Sequence, residues 1–312
     1  MIYTYGKGLV GPHPKDADPK RYQLMGVAAA PRIPDFTQPT GIPVPPDEDQ
    51  GSSSSCTWQA FAYYFWQLTG IQLSRQDGYS RTHLPGGGGY LIDPFRAMMA
   101  GAKGGYNNTD GTGCYNRDQN PDPNPQTEQN MTLIVNLPNQ QRRVFQVSYW
   151  YIPYNDINAV AQAIIDYKGI VIGVNGNNAD WKDAEHPKPP QPGTVQWSHA
   201  LYCRDLALYN LEEQVVAKSS WCNYVKQHFI SKSYFTSGNV FSPIVMQVKE
   251  LDFMVYSINL KGKIGLMEVT DRTISGTFAA NPDELKVLEK VYSVPGKVLN
   301  PDGSFKPCDI VV

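Results

Sequence analysis

The stretch that decides the fold runs from residue 47 to residue 66, DEDQGSSSSCTWQAFAYYFW. Four serines lead into a segment of helix length, with Ser54 or Ser55 placed as N-cap and Gly70 as the stop. Trp58, Phe61, Ala62, Phe65 and Leu68 recur at helical spacing, and Tyr63, Tyr64 and Trp66 fill much of the opposite face. A helix apolar on all sides belongs in the middle of a domain. Cys56 falls on its first turn, where unpaired amides and the helix dipole favour an anion and so favour a thiolate. Gln50, six positions upstream, supplies an amide that can donate to an oxyanion.

Around this helix the chain changes character. Residues 1–49 are rich in proline and loop formers and predict an extended arm. Residues 50–130 read as a helical lobe: after the first helix come LSRQDGYSRTH, the loop LPGGGGY and a short helix with Asp93 as cap and Pro94 at its first position. Long surface loops are expected over 101–130. Residues 131–250 read as a β-rich lobe with strands in TLIVNL, RRVFQVSYWYI, IVIGVN, WSHALYCRDLAL and EQVVAKSSW, and with a turn near Asn210. One helix, INAVAQAIIDYKG, is capped by Asp156. Residues 251–312 form a C-terminal extension with strand-like segments MVYSINL and IGLMEV and a helix at NPDELKVLEKVY. The pattern is α+β in two lobes.

Composition narrows the function. With 312 residues, 41% hydrophobic and 18% charged, the chain can bury a sizeable core. A formal charge of −2, with lysines and arginines in no long run, gives no electrostatic case for nucleic acid or an anionic membrane. No stretch approaches the ~18 uninterrupted apolar residues of a membrane span. MIYTYGKGLVGPHPKD lacks the basic-then-apolar order of a leader, which leaves the compartment undetermined. Cys56, Cys114, Cys203, Cys222 and Cys308 form no CxxC pair, so neither a zinc site nor another metal is expected. The odd count suits one reactive thiol plus disulfides, or five thiols in a reducing compartment.

Histidine is scarce. His13 and His186 lie in proline-rich loops and read as solvated, His83 lies near the glycine-rich loop, and His228 lies in a strand-like run. His199, in WSHALYC between a tryptophan and an apolar strand, follows Cys56 by 143 positions. That separation falls within the range of about 130–150 known for one group of thiol peptidases.

These segments resemble, in order, those of the papain-like cysteine peptidases. DEDQGSSSSCTWQAFA is similar to the nucleophile segment DQGxCGSCWAFA, LSRQDG and GGGGY to LSEQ and GCxGG, WSHALY to the histidine segment, and AKSSWC to KNSWG. The similarity spans residues 50 to about 240. It implies a two-lobe fold, helical lobe against antiparallel β-barrel-like lobe, that hydrolyses polypeptides through a thioester without a cofactor. By this resemblance Cys56 is the nucleophile, His199 the base, Ser219 the group that orients the imidazole, and Gln50 the oxyanion donor. Trp221 shields the histidine, Gly88 and Gly89 line the wall where a substrate backbone lies, and Tyr90 sits near the pocket for the side chain before the cut.

Departures are also legible. Ser219 stands where the family has asparagine, Cys222 where it has glycine, and Ser53 where it has a disulfide cysteine. Forty-nine residues before Gln50 are too few for the usual inhibitory prodomain, although residues 1–30 can lie across the groove. The alternative is a catalytically impaired scaffold of this type serving as a binding or structural module, with residues 251–312 contacting an assembly partner.

Overall fold

The computed structural model describes residue 9 and residues 34–98, 115–137, 145–221 (without 182 and 184) and 225–250, together with the backbone of short stretches beyond residue 254. The chain forms two compact units, residues 1–250 and 251–312.

The first unit opens with four helices: α1 (Cys56–Thr69), α2 (Arg75–Thr82), α3 (Asp93–Ala97) and α4 (Glu128–Met131). Then follow β1 (Phe145–Tyr151), α5 (Ile157–Tyr167), β2 (Ile170–Gly176), β3 (Trp197–Tyr209), β4 (Glu212–Lys218), β5 (Gln227–Ser231), α6 (Lys232–Thr236) and β6 (Val240–Glu250). The strands form one six-stranded sheet in the order β1-β6-β2-β3-β4-β5, and every pair within it is antiparallel.

The local chemistry explains most boundaries. Gly70 ends α1 in the left-handed conformation (φ 73°) and returns its N–H to the Trp66 carbonyl. Ser55 precedes α1, but its hydroxyl does not cap the helix. It pairs with the Ser53 hydroxyl and accepts from Gln59 Nε2. The Ser74 hydroxyl caps α2 by accepting the Asp77 N–H, and the Asp156 carboxylate caps α5 by accepting the N–H groups of Asn158 and Ala159. At the β3–β4 turn, Asn210 and Leu211 both take positive φ, which matches the twist of a tight hairpin.

Two expectations are corrected. TLIVNL (132–137) is not a strand: Leu133 and Ile134 are exposed, and the Leu133 and Val135 carbonyls are taken by the side chains of Gln76 and Arg81 rather than by a neighbouring strand. Asp93 is the first residue of α3 rather than its cap, and its carboxylate accepts the Tyr90 N–H. The helix expected at 281–292 lies outside the described residues.

Strand alternation divides the core. Val171, Ala200, Tyr202, Ile244 and Met246 face α1, whereas Ile170, Ile172, Leu201, Cys203 and Val245 pack with the apolar side of α5. Phe61 meets Phe95 edge-on at 4.9 Å, Phe65 meets Phe145 edge-on at 4.8 Å, and Tyr64 stacks on Tyr202 at 5.4 Å. Helix α1 is thereby held between the other helices and the sheet.

Residues 47–50 tie the two sides together. Glu48 pairs with Arg75 and Arg117 of the helical lobe, while Asp47 pairs with Lys218 of β4 and with Lys226. The Tyr63 hydroxyl donates to the carbonyls of Glu48 and Ser219. In the second unit, β7 (Met254–Leu260), β8 (Lys263–Val269) and β9 (Ile274–Ser275) form an antiparallel sheet, and β10 (Gly296–Leu299) pairs with β11 (Phe305–Cys308).

Gly78 of α2 provides a test of this packing, because a Cβ built there lands on the Trp58 indole. Gly→Ala in a helix ordinarily gains up to about 1 kcal/mol. Overpacking costs about 1–3 kcal/mol. The clash outweighs the propensity, so Gly78→Ala is expected to lower stability in urea unfolding; a rise in stability would show that the indole has room to move.

Candidate active site

The strap at 47–50 positions Gln50. Asp49 bridges antiparallel to Trp221, and the Gln50 N–H donates to the Ser220 carbonyl at 3.0 Å. Gln50 Oε1 accepts the Ser220 hydroxyl at 2.6 Å, which fixes the amide so that Nε2 donates to the Ser53 carbonyl at 2.9 Å. An amide nitrogen carries two hydrogens. The second has no partner among the described residues.

Cys56 opens α1 fully buried. Burial pushes its thiol up to about 12, although the backbone amides of Ala200, Thr57 and Cys56 itself pull the other way. Ala200 directly follows His199, so the sulfur meets the main chain of β3 beside the imidazole. This contact follows from the packing of α1 on the face of β3 that carries Ala200 and Tyr202.

The imidazole of His199 is also buried, and it stacks on the Trp221 indole with centroids 3.9 Å apart and planes at 19°. Burial holds its pKa well below the ordinary value, and the nearby His228 adds to the shift. Burial thus disfavours the charged form of each group. His199 Nε2 is buried and makes no hydrogen bond with the described residues.

The orienting bond expected from Ser219 goes elsewhere. Ser219 Oγ lies 3.0 Å from Nε2 of His228 and accepts the Trp221 N–H at 3.0 Å. His228 comes from β5, opposite Ala217 of β4, and its ring lies edge-on to Trp181 at 4.9 Å. The site therefore contains a second buried imidazole that sequence position alone did not single out. The antiparallel pairing of two strands joined by a short connection was its only signal. His186 is only partly exposed, because it stacks on the rings of Tyr209 and Phe229 at 4.1 and 4.7 Å.

The loop at 84–90 carries Gly88, Gly89 and Tyr90, for which a substrate-lining role is expected. Gly86, Gly87 and Gly88 all take positive φ, which the run of glycines permits. The Gly88 N–H donates to the Tyr79 hydroxyl at 2.7 Å, and the Tyr90 N–H donates to Asp93. Gly89 forms a parallel bridge with Leu9 of the N-terminal arm. Leu9 is buried within the same apolar cluster as Cys56. Among the described residues, no group of three or more His, Cys, Asp or Glu side chains is arranged to hold a metal.

No protein-family model and no curated protein sequence matches the chain. Solved structures do. Xylellain, a cysteine protease from Xylella fastidiosa, matches with a TM-score of 0.55 at 15% identity, over 79% of this chain and 98% of that one. Procathepsin L2 from the larval midgut of Tenebrio molitor matches with a TM-score of 0.56 at 17% identity, over 78% of each chain. The clostridial cysteine protease Cwp84 matches with a TM-score of 0.53 at 15% identity, over 68% of this chain and 58% of that one. The chain has the α+β two-lobe fold of the papain-like cysteine proteases.

The Leu9 contact yields a prediction. At pH 7.5 the intact chain should be alkylated slowly at Cys56 by iodoacetamide, and faster as the pH rises toward the thiol pKa of about 12. Leu9→Arg places a charge in the apolar cluster and should displace the arm, hydrate the sulfur and accelerate labelling at pH 7.5. Mass spectrometry of the adduct, with buried Cys203 as internal control, reads the effect. Equal rates in both proteins would mean that the arm does not cover the thiol.

Proposed function

We propose that the protein is a cysteine endopeptidase in which Cys56 and His199 perform acyl transfer on a polypeptide. The observation that carries this reading is the meeting of the first turn of α1 with β3, which sets the Cys56 sulfur against the amide that follows His199. Trp221 over the imidazole and Gln50 beside the nucleophile loop support it.

In the proposed reaction the Cys56 thiol passes its proton to His199 as the sulfur attacks the scissile carbonyl. Opening of the site to water removes the main cause that keeps the thiol protonated, namely burial. The α1 amides then favour the thiolate. The tetrahedral oxyanion takes hydrogen bonds from the second Gln50 side-chain N–H and the Cys56 N–H. His199 returns the proton to the leaving amine, and the carbon–nitrogen bond breaks to leave a thioester. Water then adds with His199 as base, releasing the carboxylic acid and the thiol.

A second reading has its own observation. The family's orienting asparagine is replaced by Ser219, which is bonded to His228, while Nε2 of His199 makes no hydrogen bond with the described residues. This arrangement favours an impaired scaffold that binds polypeptide without cutting it. Active-site titration separates the two readings: a peptidase labels Cys56 stoichiometrically with an epoxide thiol inhibitor, whereas an impaired scaffold labels it no faster than Cys203.

Cys56→Ala is expected to abolish peptide cleavage and epoxide labelling. Cleavage by that variant would refute the assignment of the nucleophile. Gln50→Ala should lower kcat about 10²–10³-fold, in line with the loss of one oxyanion donor, while inhibitor labelling of the thiol persists.

A further inference from the structure

Glu128, the first residue of α4, carries a half-buried carboxylate that joins both walls of the candidate cleft. Its Oε2 accepts the Ser54 N–H at 2.6 Å, two residues before the nucleophile. Its Oε1 accepts the Tyr79 hydroxyl at 2.6 Å, and that hydroxyl accepts the Gly88 N–H at 2.7 Å. The carboxylate thus stands between the loop that delivers Cys56 and the glycine wall, close enough for its charge to act on the thiol.

Gly87 lets its loop approach this carboxylate closely, because it carries no side chain. A Cβ there would stand 2.7 Å from Glu128 Oε1 and 3.5 Å from Ser54 Oγ. An ionised carboxylate has about four acceptor sites, and these neutral donors use two of them. Three other withdrawn carboxylates on this side are matched by cations: Asp77 by Arg81, Glu48 by Arg75 and Arg117, and Asp122 by Arg75. Glu128 has no cation partner among the described residues. A partly desolvated anion with spare acceptor sites, set beside the nucleophile, is chemically complementary to a cation brought by a ligand.

We infer that Glu128 is a specificity determinant that receives the guanidinium or ammonium group of the residue whose carbonyl is attacked, so that polypeptides are cut after arginine or lysine. This rests on the peptidase reading above. With the scissile carbonyl at the Cys56 sulfur, that residue's side chain starts one bond away, and Ser54 and Gly87–Gly88 are the walls it meets. A cation there also offsets the negative charge that Glu128 exerts on the thiol, so the preferred side chain favours ionisation of its own nucleophile.

The test uses the full chain and paired fluorogenic peptides that differ only in arginine or its neutral isostere citrulline before the cut. The wild-type chain should prefer arginine about tenfold to hundredfold in kcat/KM, as for a hydrogen bond to a charged group. In Glu128→Gln that ratio should collapse toward one, while Glu128→Asp, which keeps the charge, should retain a preference for arginine. A wall that merely loosens lowers both peptides alike and leaves the ratio standing, which would overturn the inference, as would a wild-type ratio near one. If a mixed peptide library is cut without bias toward basic residues, this inference alone falls. If nothing is cut and Cys56 takes no epoxide label, the peptidase reading falls and this inference with it.

Discussion

The burial of α1 is the constraint on which the rest of the first unit depends. A helix with Trp58, Phe61, Tyr64 and Phe65 all withdrawn from solvent needs partners on every side. The smaller helices cover one side, and the face of the sheet formed by β2, β3 and β6 covers another. Because Cys56 is the first residue of that helix, the packing that hides the aromatics also fixes the sulfur. Because β3 is one of the strands it packs against, the same contact brings the sulfur to the main chain next to His199. Site geometry and core packing are therefore one arrangement, so a core substitution along α1 acts on the site as well as on stability.

The charged strap at 47–50 adds registry to this apolar contact. Buried ion pairs contribute little net stability, because desolvation offsets most of the attraction. Their geometry nonetheless specifies register, because a shifted alignment leaves a withdrawn charge without its partners. Asp47 reaching Lys218 and Glu48 reaching Arg75 thus penalise any slip of the helical lobe along β4. Gln50 and Trp221 inherit their positions from this alignment through the Asp49–Trp221 bridge. Ser53, which stands where the family has a disulfide cysteine, bonds within its own loop, and the hydrogen bonds from Ser54 through Glu128 and Tyr79 to Gly88 tie that loop to the glycine-rich loop at 84–90.

The site combines a raised thiol and a lowered imidazole, and burial is the common cause. In a dry site neither partner gains by ionising, whereas water or a polar substrate backbone reverses the balance. The same low polarity makes the Ser219–His228 pair consequential, since a second imidazole beside His199 disfavours a second positive charge.

Much of this was legible in the chain itself because the signals are local. The all-round apolar pattern announced α1, and Gly70 and Asp156 marked helix ends through conformations and hydrogen bonds that involve only neighbouring residues. The order of Gln50, Cys56, His199 and Trp221 was enough to imply the fold. TLIVNL misled because its composition suits a strand, yet it pairs with no strand among the described residues and side chains take its Leu133 and Val135 carbonyls. The sequence by itself determined the elements and the candidate nucleophile and base. Only the tertiary structure decided that Ser219 bonds to His228, that Glu128 joins the two walls, and that Leu9 lies against Gly89. Those are contacts between residues 9 to 80 positions apart, and no periodicity or cap encodes them, because they exist only once the lobes have packed.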